Sequence, residues 1–136
     1  MEILTNIKYG WCDFDLGGYH GRPSYIRFLP FDVLSAYEEY FRYRHCIIEF
    51  DEELSQFCLV IWDDRIIIID NREDKCNNTI LNMSGEKVLV KLVNEIVSNV
   101  DVWAKWISIH DTDESIQDAK NKIIKKIKSV GLDIEY

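Results

Sequence analysis

Two short groups of residues have the types and spacing that catalysis requires. His45 stands directly beside Cys46, and an imidazole next to a thiol can generate a thiolate nucleophile. Asp111 and Asp113 follow the β-rich run WISIH, which would place two carboxylates at the end of a strand. A nucleophilic carboxylate beside a general acid is the chemistry that this second pattern offers. Each group also has a structural explanation that needs no reaction.

The Asp111-x-Asp113 pair resembles the nucleophile-bearing strand end of haloacid-dehalogenase-type phosphatases. In that family most of the catalytic domain follows this motif, whereas only 23 residues follow Asp113 in this chain. Acidic residues at the N-terminus of a helix interact favourably with the helix dipole, and this explains the same pair without catalysis. We therefore favour helix capping over a phosphatase site.

Glu73-x-Lys75, which follows Asp63, Asp64 and Asp70, resembles the D…ExK set of restriction-type nucleases. In those enzymes the ExK lies on a core strand and holds a metal ion. Here it lies in the polar run NREDKCNNT, which indicates an exposed loop. A nuclease must also bind a polyanion, and residues 32–75 hold twelve acidic and five basic side chains. Both observations count against a nuclease.

The histidines and cysteines are not spaced as metal ligands. His20, His45 and His110 lie far apart, and the four cysteines include no CxxC pair. Cys46 lies in a strand pattern, where a free cysteine behaves as a small hydrophobic residue, and burial would end its role as a nucleophile. We therefore assign no catalytic, cofactor-binding or metal-ligating residue, and we predict that the protein is not an enzyme.

Composition indicates one acidic globular domain. A chain of 136 residues that is 47% hydrophobic can bury a core without disulfides or a structural metal. The net charge is −8, and residues 32–75 alone contribute −7, which repels nucleic acid and anionic membranes and attracts basic proteins. No signal-peptide pattern is visible and the longest apolar run is six residues, so we expect a soluble cytosolic protein.

The elements that would position these residues are organised around residues 57–69. Two β-rich segments, FCLVIW and IIIID, flank Asp63-Asp64-Arg65, which predicts two strands joined by a tight hairpin. Apolar residues alternate onto both faces of this hairpin. We therefore expect both faces to be covered and the hairpin to lie centrally in a sheet.

Helical periodicity predicts about three helices, at residues 31–44, 85–100 and 112–130. Pro30 opens the first, Ser84 caps the second, and Gly131 ends the third. The sequence predicts one α+β domain over residues 1–136, with a single mixed, largely antiparallel sheet around the central hairpin and the helices behind it. Further strands are predicted at residues 7–14, 25–28, 46–51, 106–110 and 132–136, and loops at 16–24 and 71–79.

Surplus carboxylates around the central hairpins form the candidate partner-binding surface. The acids at residues 52–53 and 63–64 lie at opposite ends of the strand at 57–62, which excludes one tight cluster. A solvated acidic face that keeps the protein in solution is the plain alternative. The functional hypothesis is docking of a basic partner, with aromatic residues such as Tyr40, Tyr43 and Trp62 as anchors. The candidate residues are Glu38, Glu39, Tyr43, Asp51, Glu52, Glu53, Asp63 and Asp64.

Small size, acidity, an α+β pattern, many aromatic residues and the lack of a catalytic motif together resemble the immunity proteins of bacterial toxin systems, including contact-dependent growth inhibition. This resemblance is one of general character. It implies a bacterial cytoplasmic protein that binds and neutralises a cognate toxin domain, often a basic nuclease, without a cofactor, nucleic acid or membrane. Two alternatives remain: another protein-binding adaptor or inhibitor, and a small hydrolase or nuclease that uses the Asp clusters or Cys46 with His45.

Overall fold

A computed structural model describes residues 2–106 and 112–132. Strands and helices are mixed along the chain, as the α+β prediction requires. Within the described ranges the strands are β1 Leu4–Lys8, β2 Trp11–Leu16, β3 Tyr19–Gly21, β4 Cys46–Asp51, β5 Gln56–Ile61, β6 Ile66–Asp70 and β7 Asn77–Leu81. The α-helices are α1 Leu29–Tyr43, α2 Gly85–Val97, α3 Val100–Ala104 and α4 Asp113–Ser129, and a 3₁₀ turn covers Arg72–Asp74.

These strands form two antiparallel sheets, so the α+β class is confirmed but the prediction of a single sheet is wrong. The first sheet has the order β1-β2-β3 and the second the order β4-β5-β6-β7. Ser24 links them, because it bridges Trp11 of the first sheet and donates its N–H to the Asp51 carbonyl of the second at 2.7 Å.

Two tight turns explain why the N-terminal segment closes into its own sheet. Tyr9 and Gly10 have φ of 55° and 79°, and Gly17 and Gly18 have φ of 55° and 86°. Backbone at positive φ favours glycine and reverses the chain within two residues. The predicted strand at 7–14 is therefore a hairpin, and most of the predicted loop at 16–24 is a turn followed by β3. The predicted strand at 25–28 is absent, because residues 25–27 form a turn and a bend.

The hairpin predicted at residues 57–69 is confirmed, and it lies centrally in the second sheet. Strands β5 and β6 pair in continuous register, with Phe57 opposite Asp70 and Ile61 opposite Ile66. Strand β4 lies outside β5 and strand β7 outside β6. In this order each strand of the hairpin is paired with a neighbouring strand on both sides.

Only one face of this second sheet is fully covered, which corrects the expectation that both are. The inner face carries residues such as Ile48, Leu59 and Ile68, all at most 1% exposed, and it packs against α1, α2 and the first sheet. The outer face carries the alternate residues, and among them Ile47 and Ile80 are 51% and 61% exposed. Helices α1 and α2 and the first sheet all pack on the inner face. No other element among the described residues covers the outer face.

The first three residues of β7 fall in the run 71–79 that the sequence predicts as a loop. Its residues Asn77 to Leu81 pair one for one with Ile66 to Asp70 of β6. Backbone pairing with a buried neighbour stabilises this segment as a strand despite the low β-propensity of Asn77 and Asn78. Asn77 adds a side-chain hydrogen bond to Asp70, 2.9 Å long, which fixes the register.

The helix predicted at 85–100 is confirmed as α2 but ends at Val97, and a separate short helix, α3, begins at Val100. The backbone leaves the α region at Asn99 (φ −131°, ψ 36°), which ends the first helix and redirects the second. The rings of Trp103 and Trp106 are buried in the core and pack edge to face, with their centroids 5.1 Å apart. The remaining two predicted helices are confirmed with small shifts at their ends.

Gly85 determines how closely α2 approaches the β5–β6 hairpin. A Cβ at this position would overlap the Trp62 carbonyl oxygen and lie 2.7 Å from Cγ2 of Ile61. The Gly85 N–H donates to the Asp63 carbonyl at 3.1 Å, so the first turn of the helix is hydrogen-bonded to the hairpin. Only glycine has room for this contact.

The predicted strands at 106–110 and 132–136 lie outside the described residues, apart from Trp106 and Leu132. No helix in residues 2–106 and 112–132 is long and apolar enough to cross a membrane.

Candidate functional site

One row of apolar side chains crosses the whole outer face of the second sheet. The register places Ile47 opposite Val60, Val60 opposite Ile67, and Ile67 opposite Ile80. Directly opposed residues on neighbouring strands have adjacent side chains, so these four form a continuous ridge. We call Ile47, Val60, Ile67 and Ile80 the apolar row. Its two ends are open to solvent, and its two central residues are half-buried.

Three aromatic side chains extend this row at one end. The rings of His45 and Trp62 are stacked with centroids 5.0 Å apart, and the ring of Tyr43 lies 6.4 Å from that of His45. Side chains two residues apart on a strand share a face, so His45 adjoins Ile47 and Trp62 adjoins Val60. Tyr43 and Trp62 are 58% and 40% exposed. We call Tyr43, His45 and Trp62 the aromatic stack.

Carboxylates lie along the border of these apolar groups. Glu39 of α1 and Glu49 of β4 line one shallow depression with Ile47, and Arg27 reaches Glu49 with 3.0 Å between Nη1 and Oε2. Asp64 lies exposed at the tip of the β5–β6 hairpin. We call the apolar row, the aromatic stack and the carboxylates of Glu39, Glu49 and Asp64 the docking surface.

The eight residues predicted to bind a partner fall at the two ends of β5. This separation agrees with the sequence argument against a single cluster. At one end, the β4–β5 turn carries Asp51, Glu52 and Glu53. At the other end, the C-terminal half of α1 and the β5–β6 hairpin carry Glu38, Glu39, Tyr43, Asp63 and Asp64.

The carboxylate of Glu52 is hydrogen-bonded by other residues of the protein. Its carboxylate accepts two hydrogen bonds from Nη2 of Arg72 (2.9 and 3.0 Å), one from the Arg22 backbone N–H (2.8 Å) and one from the Ser55 hydroxyl (3.0 Å). Burial alone would raise the pKa of Glu52, but these donors and the Arg72 charge lower it below the ordinary value. Glu52 therefore joins the first sheet to the second.

Asp51 and Glu53 shape the β4–β5 turn. The Glu53 backbone, at φ 71°, donates its N–H to Oδ1 of Asp51 at 2.7 Å. Leu54 beside them is fully exposed. This end of β5 therefore holds turn-forming acids and one isolated apolar side chain.

A buried carboxylate that sequence reasoning missed lies in the same network. Asp70 accepts hydrogen bonds from the Tyr19 hydroxyl (3.0 Å), the Asn77 side-chain amide (2.9 Å) and the Arg72 backbone N–H (3.2 Å). Burial raises the pKa of Asp70, and these donors with the Arg72 charge outweigh burial, so the pKa is lowered overall. Tyr19 is 51 positions from Asp70, and no local pattern connects them.

Asp63 is exposed, but its carboxylate is also hydrogen-bonded within the protein. Its carboxylate accepts a hydrogen bond from the Tyr40 hydroxyl of α1. Tyr40 is fully buried, so the expectation that it anchors a partner is wrong. Burial and then this carboxylate raise the pKa of Tyr40 to about 12, so the hydroxyl remains a donor at neutral pH. This contact ties the aromatic end of the docking surface to α1.

The catalytic alternatives lack the required geometry in the described residues. Cys46 is buried, and burial together with Glu39 raises the pKa of its thiol to about 12. The His45 ring lies in the aromatic stack on the outer face, whereas Cys46 points inward, so the two do not form an activated pair. Glu73 and Lys75 are exposed and belong to no core strand.

Of the Asp111-x-Asp113 pair, the structure describes only Asp113. Thr112 caps α4 by accepting the Ser115 N–H at 3.2 Å, and Asp113 is the first helical residue, as the capping interpretation predicts. Asp111 lies outside the described residues. Among residues 2–106 and 112–132, no group of three or more His, Cys, Asp or Glu side chains is arranged to hold a metal ion.

Comparisons of the chain with protein-family models, with curated proteins and with solved structures found no match.

Proposed function

We propose that this chain is a protein-binding domain that captures a basic partner on the docking surface. The observation that carries the proposal is the apolar row, open to solvent on one sheet face and continued by the aromatic stack. Exposed contiguous apolar surface is characteristic of interaction sites, because water is displaced favourably when a partner covers it.

The aromatic stack supplies the residue types that dominate binding energy. Tyrosine and tryptophan bury large areas at low cost in conformational entropy, and they concentrate at interface hot spots. His45 supports the Trp62 ring from one side, which restricts it before any partner arrives. A pre-ordered anchor loses less entropy on binding than a free one.

Charge favours a basic partner. The chain carries −8, and the docking surface is bordered by Glu39, Glu49 and Asp64. Such a field speeds the approach of a basic protein and disfavours nucleic acid. We infer that the partner is a basic toxin domain and that the chain neutralises it as an immunity protein in the bacterial cytoplasm. Carboxylates at the interface would occupy the positions where a nuclease holds substrate phosphates.

The test is to identify a basic toxin domain encoded by a neighbouring gene and to titrate the protein with it in a calorimeter, and the absence of such a gene would count against the immunity role. Trp62→Ala removes the central anchor and should weaken binding about 30-fold or more, since hot-spot truncations cost at least about 2 kcal/mol. Leu54→Ala is the matched control, because Leu54 is an exposed apolar residue at the opposite end of β5. We expect its dissociation constant to match that of the parent protein.

Two results would contradict the proposal in different ways. If Leu54→Ala weakened binding and Trp62→Ala did not, the partner would use the other end of β5. If the neighbouring toxin domain bound neither the parent nor the variants, the immunity role would be lost. Capture of a basic protein that is not a toxin would then identify an adaptor or inhibitor.

A further inference from the structure

We propose that two copies of this chain associate through the open edge of β7 and join their second sheets into one continuous sheet of eight strands. This inference concerns the edge of the sheet and does not depend on the docking surface of the proposed function. It follows from the direction of the β7 backbone groups, from the absence of charge along this strand and from its regular pairing with β6.

The hydrogen-bond alternation along the central hairpin fixes which way the backbone of β7 points. The Trp62 N–H donates to the Arg65 carbonyl (3.0 Å), and the Asn71 N–H donates to the Gln56 carbonyl (3.2 Å). In an antiparallel pair every second residue pair is hydrogen-bonded. The intervening residues of β6, including Ile68, therefore direct their N–H and C=O groups toward β7.

Thr79 is opposite Ile68 and uses its backbone groups on β6. Its neighbours Asn78 and Ile80 consequently direct their N–H and C=O groups away from the sheet. No hydrogen bond within residues 2–106 and 112–132 reaches these outward groups. They are spaced two residues apart, which is the spacing that an added antiparallel strand requires.

This edge lacks the features that usually prevent strand addition. Exposed edge strands are commonly protected by lysine, proline or a bulge. Residues 76–82, CNNTILN, contain neither lysine nor proline, and the β6–β7 register runs without a shift. The opposite edge differs, since Ser24 binds the Asp51 carbonyl and α1 packs beside β4.

Charge selects a second copy as the occupant. A chain with net charge −8 repels its own kind over most of its surface, yet residues 76–82 carry no charge at all. Electrostatic repulsion between two copies is therefore weakest where they approach each other along β7. Long-range repulsion remains, so added salt should strengthen the association by screening it. A basic partner on the docking surface would respond to salt in the opposite direction.

A two-fold axis beside Thr79 makes β7 self-complementary. Asn78 of one copy then faces Ile80 of the second, and each such pair exchanges two N–H···O=C bonds, for four in total. The two Thr79 residues face each other as a non-hydrogen-bonded pair with Cα atoms about 4.5 Å apart. The interface is one strand pair, so we expect a dissociation constant in roughly the micromolar to millimolar range.

Sedimentation velocity of the purified protein tests the association. The parent should shift from monomer toward dimer as its concentration rises from about 10 to 500 µM, a range set by the small interface, and more so in 0.5 M salt. Asn78→Pro removes an outward N–H and leaves the bonds to β6 intact, and it should weaken association at least tenfold. Asn78→Ala keeps the N–H and is the matched control, with association unchanged. Thermal unfolding establishes that both variants fold.

Oxidative cross-linking tests the register, in a Cys76→Ser background that removes the exposed native thiol. Thr79→Cys should form an intermolecular disulfide on treatment with copper phenanthroline, because about 4.5 Å between Cα atoms suits one. Asn78→Cys should not, because two-residue displacement places its Cα atoms about 8 Å apart.

A parent protein that stays monomeric at every concentration and salt level would overturn the inference. So would a dimer that persists in Asn78→Pro, since it would use another surface. Selective cross-linking of Asn78→Cys instead of Thr79→Cys would also refute the two-fold register. If the parent were monomeric and Asn78→Pro abolished binding of the toxin domain, the β7 edge would belong to that partner and not to a second copy.

Discussion

Tyr19→Phe measures how strongly the buried carboxylate of Asp70 depends on its donors. The substitution removes one hydrogen bond to a charged group and keeps the ring that packs against Phe57 at 5.4 Å. We expect the free energy of unfolding at pH 7 to fall by about 1.5–3 kcal/mol. Urea denaturation measures it. Tyr43→Phe is the control, because Tyr43 is exposed, and its effect should stay within about 0.5 kcal/mol. Equal effects of the two would contradict a structural role for the Tyr19 hydroxyl.

Stability should fall in acid because Asp70 and Glu52 have lowered pKa values in the folded protein. A carboxyl with a folded pKa below its unfolded one contributes stability above the unfolded value and loses it as pH falls through the folded value. The unfolded values are near 4.5 for Glu52 and 3.8 for Asp70, so the loss begins there and continues below. Denaturant titrations from pH 6 to pH 2 measure it.

Arg72→Gln is the informative variant for this pH dependence. Arg72 faces both carboxylates, through its guanidinium to Glu52 and its charge to Asp70. Without that charge both folded pKa values should rise toward their unfolded values, and the acid limb of the stability curve should flatten. An acid limb of unchanged slope would mean that other carboxylates produce it.

Single residues also show where prediction of the candidate site from sequence ends. Glu52 and Glu53 are adjacent acids at a predicted turn, and nothing local separates them. The first is bound by Arg72, 20 positions away, and the second is exposed. That distinction depends on how the turn after β6 brings Arg72 back, which is a tertiary contact. The sequence therefore identifies the acidic region but not which carboxylates are available to a partner.

At the scale of elements, Gly85→Ala tests the contact between α2 and the central hairpin. The added methyl would collide with the Trp62 carbonyl, so helix or hairpin must move. Overpacking against backbone should cost about 2–4 kcal/mol despite the higher helix propensity of alanine. Thermal unfolding reports the loss. Lys87→Ala, on an exposed position of the same helix turn, should change stability by less than about 0.5 kcal/mol. If Gly85→Ala and Lys87→Ala lost comparable stability, the loss would come from the helix itself and not from its contact with the hairpin.

The elements differ in how visible they are to sequence reasoning. Residues 57–69 are predicted correctly because β-branched residues and a short polar turn act together over thirteen positions. Strand β7 is missed because Asn77 and Asn78 disfavour strands and close a polar run, so that its pairing with β6 is what defines it. The first sheet is predicted only in part. The strand predicted at 7–14 overlaps β1 and β2, but the turns at Tyr9 and Gly10 and at Gly17 and Gly18 also suit a loop, so the hairpins are missed.

The outer face of the second sheet shows the same limit of prediction from the sequence. Alternation in β5 and β6 identifies two apolar faces, and only the complete arrangement decides which one is covered. Within the described residues α1 only borders the outer face, beside β4, and no helix covers it, which leaves Ile47 and Ile80 open. The apolar row is readable only once β4 and β7 are in register beside the hairpin.

For the whole molecule, the net charge of −8 predicts salt-dependent association with a basic partner. Raising ionic strength from about 0.02 to 0.5 M shortens the Debye length and should slow association about tenfold or more. Stopped-flow or surface-binding kinetics with the toxin domain measure this, and the dissociation rate should change much less. An association rate independent of salt would remove the steering role of the acidic surface.

The placement of the four tryptophans gives the molecule a built-in optical reporter. Trp103 and Trp106 are sealed in the core and Trp11 is half-buried, whereas Trp62 stands in the aromatic stack. Acrylamide should therefore quench a red-shifted part of the emission that Trp62→Phe removes. A ligand seated over the apolar row would shield that indole and shift its fluorescence to shorter wavelengths, with no dye attached.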